Sequence, residues 1–232
     1  MAIDELDEHE RSELVRGWLR NNASAIVVGI AAGLALIAGY HQWQTMKRSH
    51  GDQAQAHYET LVTAVDAKDA DGVTKSSKLL RDEFANTPYA VFGSFRVAND
   101  ALSRGEVDAA VDALTWARKN AETPALRDLS GLRLARVKLA KGDAQGALDL
   151  AGDVKGEGYK ALAAELRGDA LAALGRGAEA VTAYDDALAA LDVTAPQRPY
   201  VEMKRDDLAA PVASSAPAAP PVAAVPEAKT ES

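Results

Sequence analysis

Apolar side chains follow two patterns along this chain. Residues 21–46 contain no Lys, Arg, Asp or Glu, and Ala23 to Tyr40 reads ASAIVVGIAAGLALIAGY, with Ser24 the one polar side chain before the closing tyrosine. A helix rises about 1.5 Å per residue, so about 20 apolar residues cross ~30 Å of hydrocarbon. The run is that long, and no other stretch of the sequence matches it. After Lys47 the pattern changes. Apolar residues recur at helical spacing, no strand-like alternation persists, and short Gly or Asp turns divide the helices into pairs. An all-α protein with a single N-terminal transmembrane helix follows from these two patterns.

The ends of the run fit an anchor that is retained. A buried core helix would be shorter or show a polar edge. A signal peptide carries an apolar stretch of about 7–15 residues behind a short basic leader. Here residues 1–22 hold six acids against three bases, Arg11, Arg16 and Arg20. Trp18 precedes the run and Tyr40 and Trp43 close it, where amphipathic rings favour the headgroup level. Arg20, Lys47 and Arg48 can extend outward from its ends. We place the cytoplasmic segment at 1–22 and the span at 23–43. Gly29 and Gly33 make a small-xxx-small step that Ala35 and Gly39 continue. Such a step lets a second helix come close, although Gly and Ala are common in spans without that role. With Trp43 these glycines are the candidate anchor residues. Three bases before the span against two just after it lean only slightly toward a cytoplasmic N-terminus.

The remainder, 44–209, is long enough for one soluble domain. Three of its segments align: VANDALSRGEVDAAVDALTWA from Val97, LARVKLAKGDAQGALDLAGDV from Leu134 and RGDALAALGRGAEAVTAYDDA from Arg167. Each has a small residue (Ala98, Ala135, Gly168), then Gly seven positions on (Gly105, Gly142, Gly175), then Ala five further (Ala110, Ala147, Ala180). The Gly ends helix A of a pair, because a left-handed residue costs Gly little. The two small residues face each other across antiparallel helices and let the axes approach. The copies start 37 and 33 residues apart, against ~34 for a tetratricopeptide repeat. A fainter copy, Ala64–Asp71–Ser76, lies 34 residues earlier. The fold expected after the span is therefore a tetratricopeptide-like α-solenoid of about four helix pairs. A cap helix at Gln197–Ala209 would close it, with Tyr200, Met203 and Leu208 as its buried side. Residues 210–232 carry five prolines and almost no large apolar group, the composition of a disordered tail.

Composition and charge narrow the function. The chain has no Cys, which removes disulfides, thiolate metal sites and Cys nucleophiles. Its net charge of −8 argues against nucleic acid, which needs clustered Lys and Arg. There is no GxSxG or phosphate-cradling GxxxxGK[ST] motif, and His9–Glu10 lacks the second His of a zinc helix. His50 and His57, two turns apart, do not make a metal site by themselves. The expectation is a protein without catalysis, cofactor or metal that binds other proteins. Stacked helix pairs present a surface lined by A helices. Its candidate residues are Arg96, Asn99, Arg133, Arg136, Lys138, Arg167 and Asp169. An Arg-rich groove would suit acidic peptides, and ordinary solvated helix faces would have the same composition.

LRLARVKLAKGDAQGALDL (132–150), DVKGEGY (153–159) and AAELRGDALAALG (163–175) closely resemble the bacterial ancillary SecYEG translocon subunits, the YfgM family. The likeness covers roughly residues 10–209 and is most specific at Lys155–Gly158 with the following Leu166–Gly168. Tyr159 departs from the expected Trp, and the acidic leader and the Pro/Ala tail look additional. The resemblance implies a single-pass protein of the bacterial inner membrane, N-terminus cytoplasmic and repeat domain periplasmic. It implies an adaptor or chaperone beside SecYEG that works with the periplasmic chaperone PpiD on unfolded secreted precursors, without catalysis. A static envelope scaffold that binds no client is the alternative.

Overall fold

The computed structural model describes residues 3–209, with side chains from Ser12 onward, so the Pro/Ala-rich segment 210–232 lies outside the described residues. Its helices are α1 (Ile3–Asp66), α2 (Ala70–Glu83), α3 (Pro88–Ser103), α4 (Val107–Asn120), α5 (Pro124–Ala140), α6 (Ala144–Gly152), α7 (Lys160–Ala173), α8 (Gly177–Ala190) and α9 (Arg198–Ala209). A single 3-10 turn, Glu157–Tyr159, precedes α7. No strand occurs among the described residues.

The 64 residues of α1 span roughly 96 Å at ~1.5 Å each. Its most apolar 18-residue window has a mean hydropathy of 2.1, and none of that window is buried. Val27, Val28, Ile30, Leu34, Leu36 and Ile37 all stand exposed. The core helix of a soluble protein shows the reverse. This helix is long and apolar enough to cross a membrane. It also continues well past residue 43. The Lys47 ammonium sits 4.4 Å from the Trp43 ring, and two turns later Ala54, Leu61 and Ala64 are buried in a core. One unbroken rod thus carries the apolar run and half of the first helix pair.

The chain divides into two compact units between Glu122 and Thr123. In the first, the end of α1 pairs with α2, and α3 with α4, around Leu61, Val73, Leu80, Phe84 and Ala90. In the second, α5 pairs with α6 and α7 with α8, and α9 packs on α8. The second unit's core is mostly alanine, including Ala135, Ala147, Ala151, Ala163, Ala170 and Ala180.

The small-residue pattern has a direct structural cause. Gly105, Gly142 and Gly175 adopt φ of +77°, +93° and +74°. The next N–H in each case bonds back five residues, Glu106 to Ala101, Asp143 to Lys138 and Arg176 to Leu171, all at 2.9 Å. That geometry ends a helix in a left-handed residue. Ala98 and Ala135 are buried on the A helices, and Ala110, Ala147 and Ala180 are fully buried opposite them. At Gly168 a Cβ would lie 2.5 Å from Tyr184 Cε1.

Two expectations need correction. The first copy is built on Leu61, Lys68 and Val73, not on Ala64, Asp71 and Ser76. Lys68 holds the left-handed turn (φ +55°), and Asp69 N–H bonds back to Ala64 at 2.9 Å as in the other pairs. The turns therefore recur at steps of 37, 37 and 33 residues. A lysine in place of glycine, with Leu61 and Val73 at the positions that are small elsewhere, hides this register. On α9 the buried side chain is Val201, at 0 % exposure, whereas Tyr200, Met203 and Leu208 are exposed. The cap docks largely through charge, so its apolar stripe does not mark its inner face.

Candidate partner-binding site

Asp128 of α5 organises the loop that leads into α7. Its Oδ2 accepts hydrogen bonds from the backbone N–H groups of Gly156 (2.8 Å) and Lys155 (3.2 Å). A Cβ at Gly156 would stand 3.0 Å from that oxygen, so the bare residue lets the loop close on the carboxylate. The Lys155–Gly158 motif is thus a clasp that brings the end of α6 to the start of α7. Beside it lies a cavity of about 780 Å³ bounded by α6, the clasp, α7 and α8. Buried Ala151, Ala163 and Ala164 line its depth, and exposed Ala189 and Ala190 its edge. Lys155, Lys160 and Arg167 face Glu157 and Asp186 around it. The ion pairs there are loose, Lys160–Glu157 at 3.8 Å and Arg167–Asp186 at 4.0 Å. These are exposed side chains beyond hydrogen-bond distance, so they leave donors to an incoming group.

Behind the cavity, α9 is fastened by a polar network. Lys204 Nζ bonds to Glu165 at 2.8 Å and to Asp169 at 2.8 Å, and Tyr184 donates to Asp169 at 2.8 Å. The side chains of Lys204, Glu165 and Asp169 are 18 %, 16 % and 23 % exposed. Burial alone would lower the Lys204 pKa, but hydrogen bonds and charge from Asp169 and Glu165 raise it. Burial first, then the hydrogen bond to Asp169, pushes the Tyr184 phenol well up. Arg198 donates to the carbonyl of Leu188 at 3.0 Å, one of the last acceptors of α8.

The residues expected to line a groove fall in both units. In the first, Asn99 is exposed, and Arg96 pairs with Asp66 while its Nε is buried without a partner. In the second, Arg136 is exposed, Arg133 is half-buried, and Lys138 bonds to the Asp143 that caps α6. Arg167 reaches the cavity, and Asp169 belongs to the α9 network. Asp128 and Lys204 escaped the sequence reading, because their partners lie 28 and 35–39 residues away. Gly29, Gly33 and Gly39 lie on the bare part of α1, with nothing within 4 Å of where a Cβ would be. His50 and His57 do share a face, and both rings lie against Phe84 with centroids 4.8 and 5.3 Å away. Among the described residues no group of three His, Cys, Asp or Glu is placed to hold a metal ion.

The tetratricopeptide repeat-like domain family matches residues 16–210, nearly the whole described chain. The chain belongs to that family. Two similar curated proteins are each named ancillary SecYEG translocon subunit. The one from Escherichia coli (strain K12) is 28 % identical over 87 % of this chain and 97 % of its own length. The one from Haemophilus influenzae is 29 % identical over 78 % of this chain and 89 % of its own. Among solved structures, a Podosopora anserina protein described as a kinesin light chain with nearly identical TPR-like repeats gives a TM-score of 0.49. It is 18 % identical and covers 69 % of this chain and 84 % of that one. Family membership accounts for the paired-helix register, which repeats through α1–α8.

Proposed function

We propose that this protein is a single-pass adaptor of the bacterial inner membrane that associates with the SecYEG translocon. The observation that carries the reading is one continuous helix joining a bare apolar segment to a tetratricopeptide-like domain. The curated relatives supply the partner, since both bear the name of a translocon subunit. In this reading 1–22 is cytoplasmic, 23–43 spans the bilayer, 44–209 is periplasmic and 210–232 is a tail. Gly29, Gly33, Gly39 and Trp43 form the anchor face. Eleven residues separate Trp43 from fully buried Ala54, roughly 16 Å of helix, so the repeats start close to the membrane surface. There the domain meets PpiD and precursors emerging from the channel, and it acts by binding rather than by catalysis. Arg96, Asn99, Arg133, Arg136 and Arg167 are the proposed contacts to acidic polypeptide.

The test is co-purification of SecYEG from detergent-solubilised membranes with the intact protein, and with a variant whose residues 23–43 are replaced by an unrelated span. Recovery with the native protein and its loss with the variant are the expected results. Absence of SecYEG from both, with the protein inserted and folded, overturns the reading. PpiD recovered with both forms would place that contact on the repeat domain.

A further inference from the structure

The first helix pair comes nearest the membrane-spanning run at the loop between α2 and α3. From the end of α1, α2 runs back along it until its last residues reach His50. The Phe84 ring, 3 % exposed, lies against His50 and His57 with centroids 4.8 and 5.3 Å away, and His50 Nε2 meets Asn86 Oδ1 at 3.0 Å. From there α3 climbs away again, with Tyr89 donating to Gln55 at 3.2 Å and Arg96 paired with Asp66. Trp43, Lys47, His50 and Ala54 follow one another on α1 at steps of four, three and four residues, so they share one face. Ala54 is fully buried in the core that α1 shares with α2 and α3, so this face is the one turned toward them. Below the loop the same face forms a corner, with α1 as its wall and Asn86 as its roof.

The corner lies at the depth of the lipid headgroups. A bilayer of about 40–45 Å around ~30 Å of hydrocarbon leaves roughly 5–7 Å of headgroup on each side. With Trp43 at the hydrocarbon edge, Lys47 sits about 6 Å outward and His50 about 10 Å, at ~1.5 Å per residue. The Lys47 ammonium lies 4.4 Å from the Trp43 ring and meets no carboxylate among the described residues. Asn86 is exposed, and because its Oδ1 accepts from the histidine, its Nδ2 keeps two N–H donors. Asp52 lies on the other side of α1 from His50. At the end of α2, Asp82 is held by Lys78, and Glu83 is exposed to water. We propose that this corner holds the phosphodiester of an anionic phospholipid, its oxygens on Lys47 Nζ and Asn86 Nδ2 and an acyl chain along Trp43 and the apolar face below. Phosphate accepts from both kinds of donor, and a negative headgroup answers the one cation of this face.

The site depends on the membrane-spanning reading of α1 but not on the translocon. The full chain is placed in nanodiscs of phosphatidylcholine with a rising fraction of phosphatidylglycerol, and the ¹⁵N–¹H signals of the Asn86 carboxamide and the Trp43 indole are followed. Saturable shifts of both are expected, and native mass spectrometry of the extracted protein should show phosphatidylglycerol retained. Lys47→Gln should weaken that binding about tenfold, the loss of one charge-assisted hydrogen bond. Asn86→Ala should weaken it as well, read at the indole. Arg48→Gln removes the same charge from a neighbouring face of α1 and should leave the shifts nearly unchanged. Equal losses in the Lys47 and Arg48 variants would mean diffuse surface charge and would overturn the proposal. So would unmoved signals, or the same shifts produced by inorganic phosphate in discs without phosphatidylglycerol, which would assign the corner to a free anion. A failed titration leaves the co-purification result standing, and lost co-purification leaves the lipid site standing.

Discussion

The first and last helix pairs obey one register and distribute volume in opposite ways. In α1–α2 the register puts Leu61 at the A-helix position and Ser77 at the matching B-helix position. In α7–α8 the equivalent residues are Gly168 and Tyr184, a step of 107 residues set by Lys68 and Gly175. The α3–α4 pair, with Ala98 and Leu114, follows the last pair, and α5–α6 has alanine at both positions, Ala135 and Ala151. The first pair closes its core with side chains such as Leu80 and Phe84. The last pair closes its own with a tyrosine ring lying where a Cβ would be, and ties that ring into a charged network. In these two pairs the bulk at the matched positions sits on opposite helices, so either helix can supply it, whereas α5–α6 has a small residue on both sides.

The largest expected effect removes volume where the first pair depends on it. Leu61 is fully buried, and Leu61→Ala should cost about 3 kcal/mol through lost burial and the cavity left behind. Hydrogen exchange across α2 and α3 should rise by about two powers of ten, with less change in α7 and α8. An effect below about 1 kcal/mol would mean that Leu61 does not carry the contact. Adding volume to the last pair is the mirror experiment. Gly168→Ala places a methyl 2.5–2.6 Å from two Tyr184 ring atoms. The ring is held by Asp169 and cannot simply withdraw, so the cost should reach about 2 kcal/mol despite the better helix propensity of Ala. Pairing it with Tyr184→Leu should recover most of that loss. Independent, additive losses in the double variant would show that the two residues do not share one space.

These pairs also show what could be read from the chain. Ala98, Ala135 and Gly168, with Gly105, Gly142 and Gly175, were legible because close helix axes and left-handed turns admit few residue types. The first copy was misread by three residues, because Lys68 turns the chain without glycine and Leu61 and Val73 carry no small-residue signature. On α9 the large apolar residues are Tyr200, Met203 and Leu208, whereas Val201 and Lys204 face inward. Nothing local to α9 reports that Glu165 and Asp169 await its lysine. The clasp was legible as a turn, but not that Asp128 closes it, since a carboxylate 28 residues upstream leaves no trace in the motif.

The α9 network gives the next effect and a pH window. Lys204→Met leaves Glu165 and Asp169 mostly buried without their cation, at a cost of about 1–2 kcal/mol. Exchange in α9 should rise about tenfold, with less change in α5. In the native protein, both Lys204 and Tyr184 have pKa values raised by folding. A raised folded value means that the proton is held more tightly in the folded state. The stabilisation is complete below the unfolded values, about 10.4 for Lys and 10 for Tyr, and is lost as pH climbs through the folded values. The attachment of α9 should therefore be insensitive to pH between 6 and 9, as far as these groups govern it, and loosen above about pH 10. Loosening below about pH 9 would show that Lys204 and Tyr184 do not govern the attachment of α9.

The smallest effect has the opposite sign and tests the corrected register itself. Lys68 is the one described non-glycine residue at positive φ, in a turn that the other three pairs make with glycine. A side chain there costs about 1 kcal/mol relative to glycine, because its Cβ crowds the following carbonyl. Glycine also loses more freedom on folding, which offsets part of the gain. Lys68→Gly should accordingly stabilise the α1–α2 pair by up to about 1 kcal/mol, and Gly142→Lys should destabilise α5–α6 by a similar amount. Urea unfolding followed by exchange at the two turns reads both. If instead Asp71→Gly stabilised the first pair and Lys68→Gly weakened it, the turn would lie three residues later. Leu61 would then lose its register match with Ser77, and the volume trade between the first and last pairs would dissolve with it.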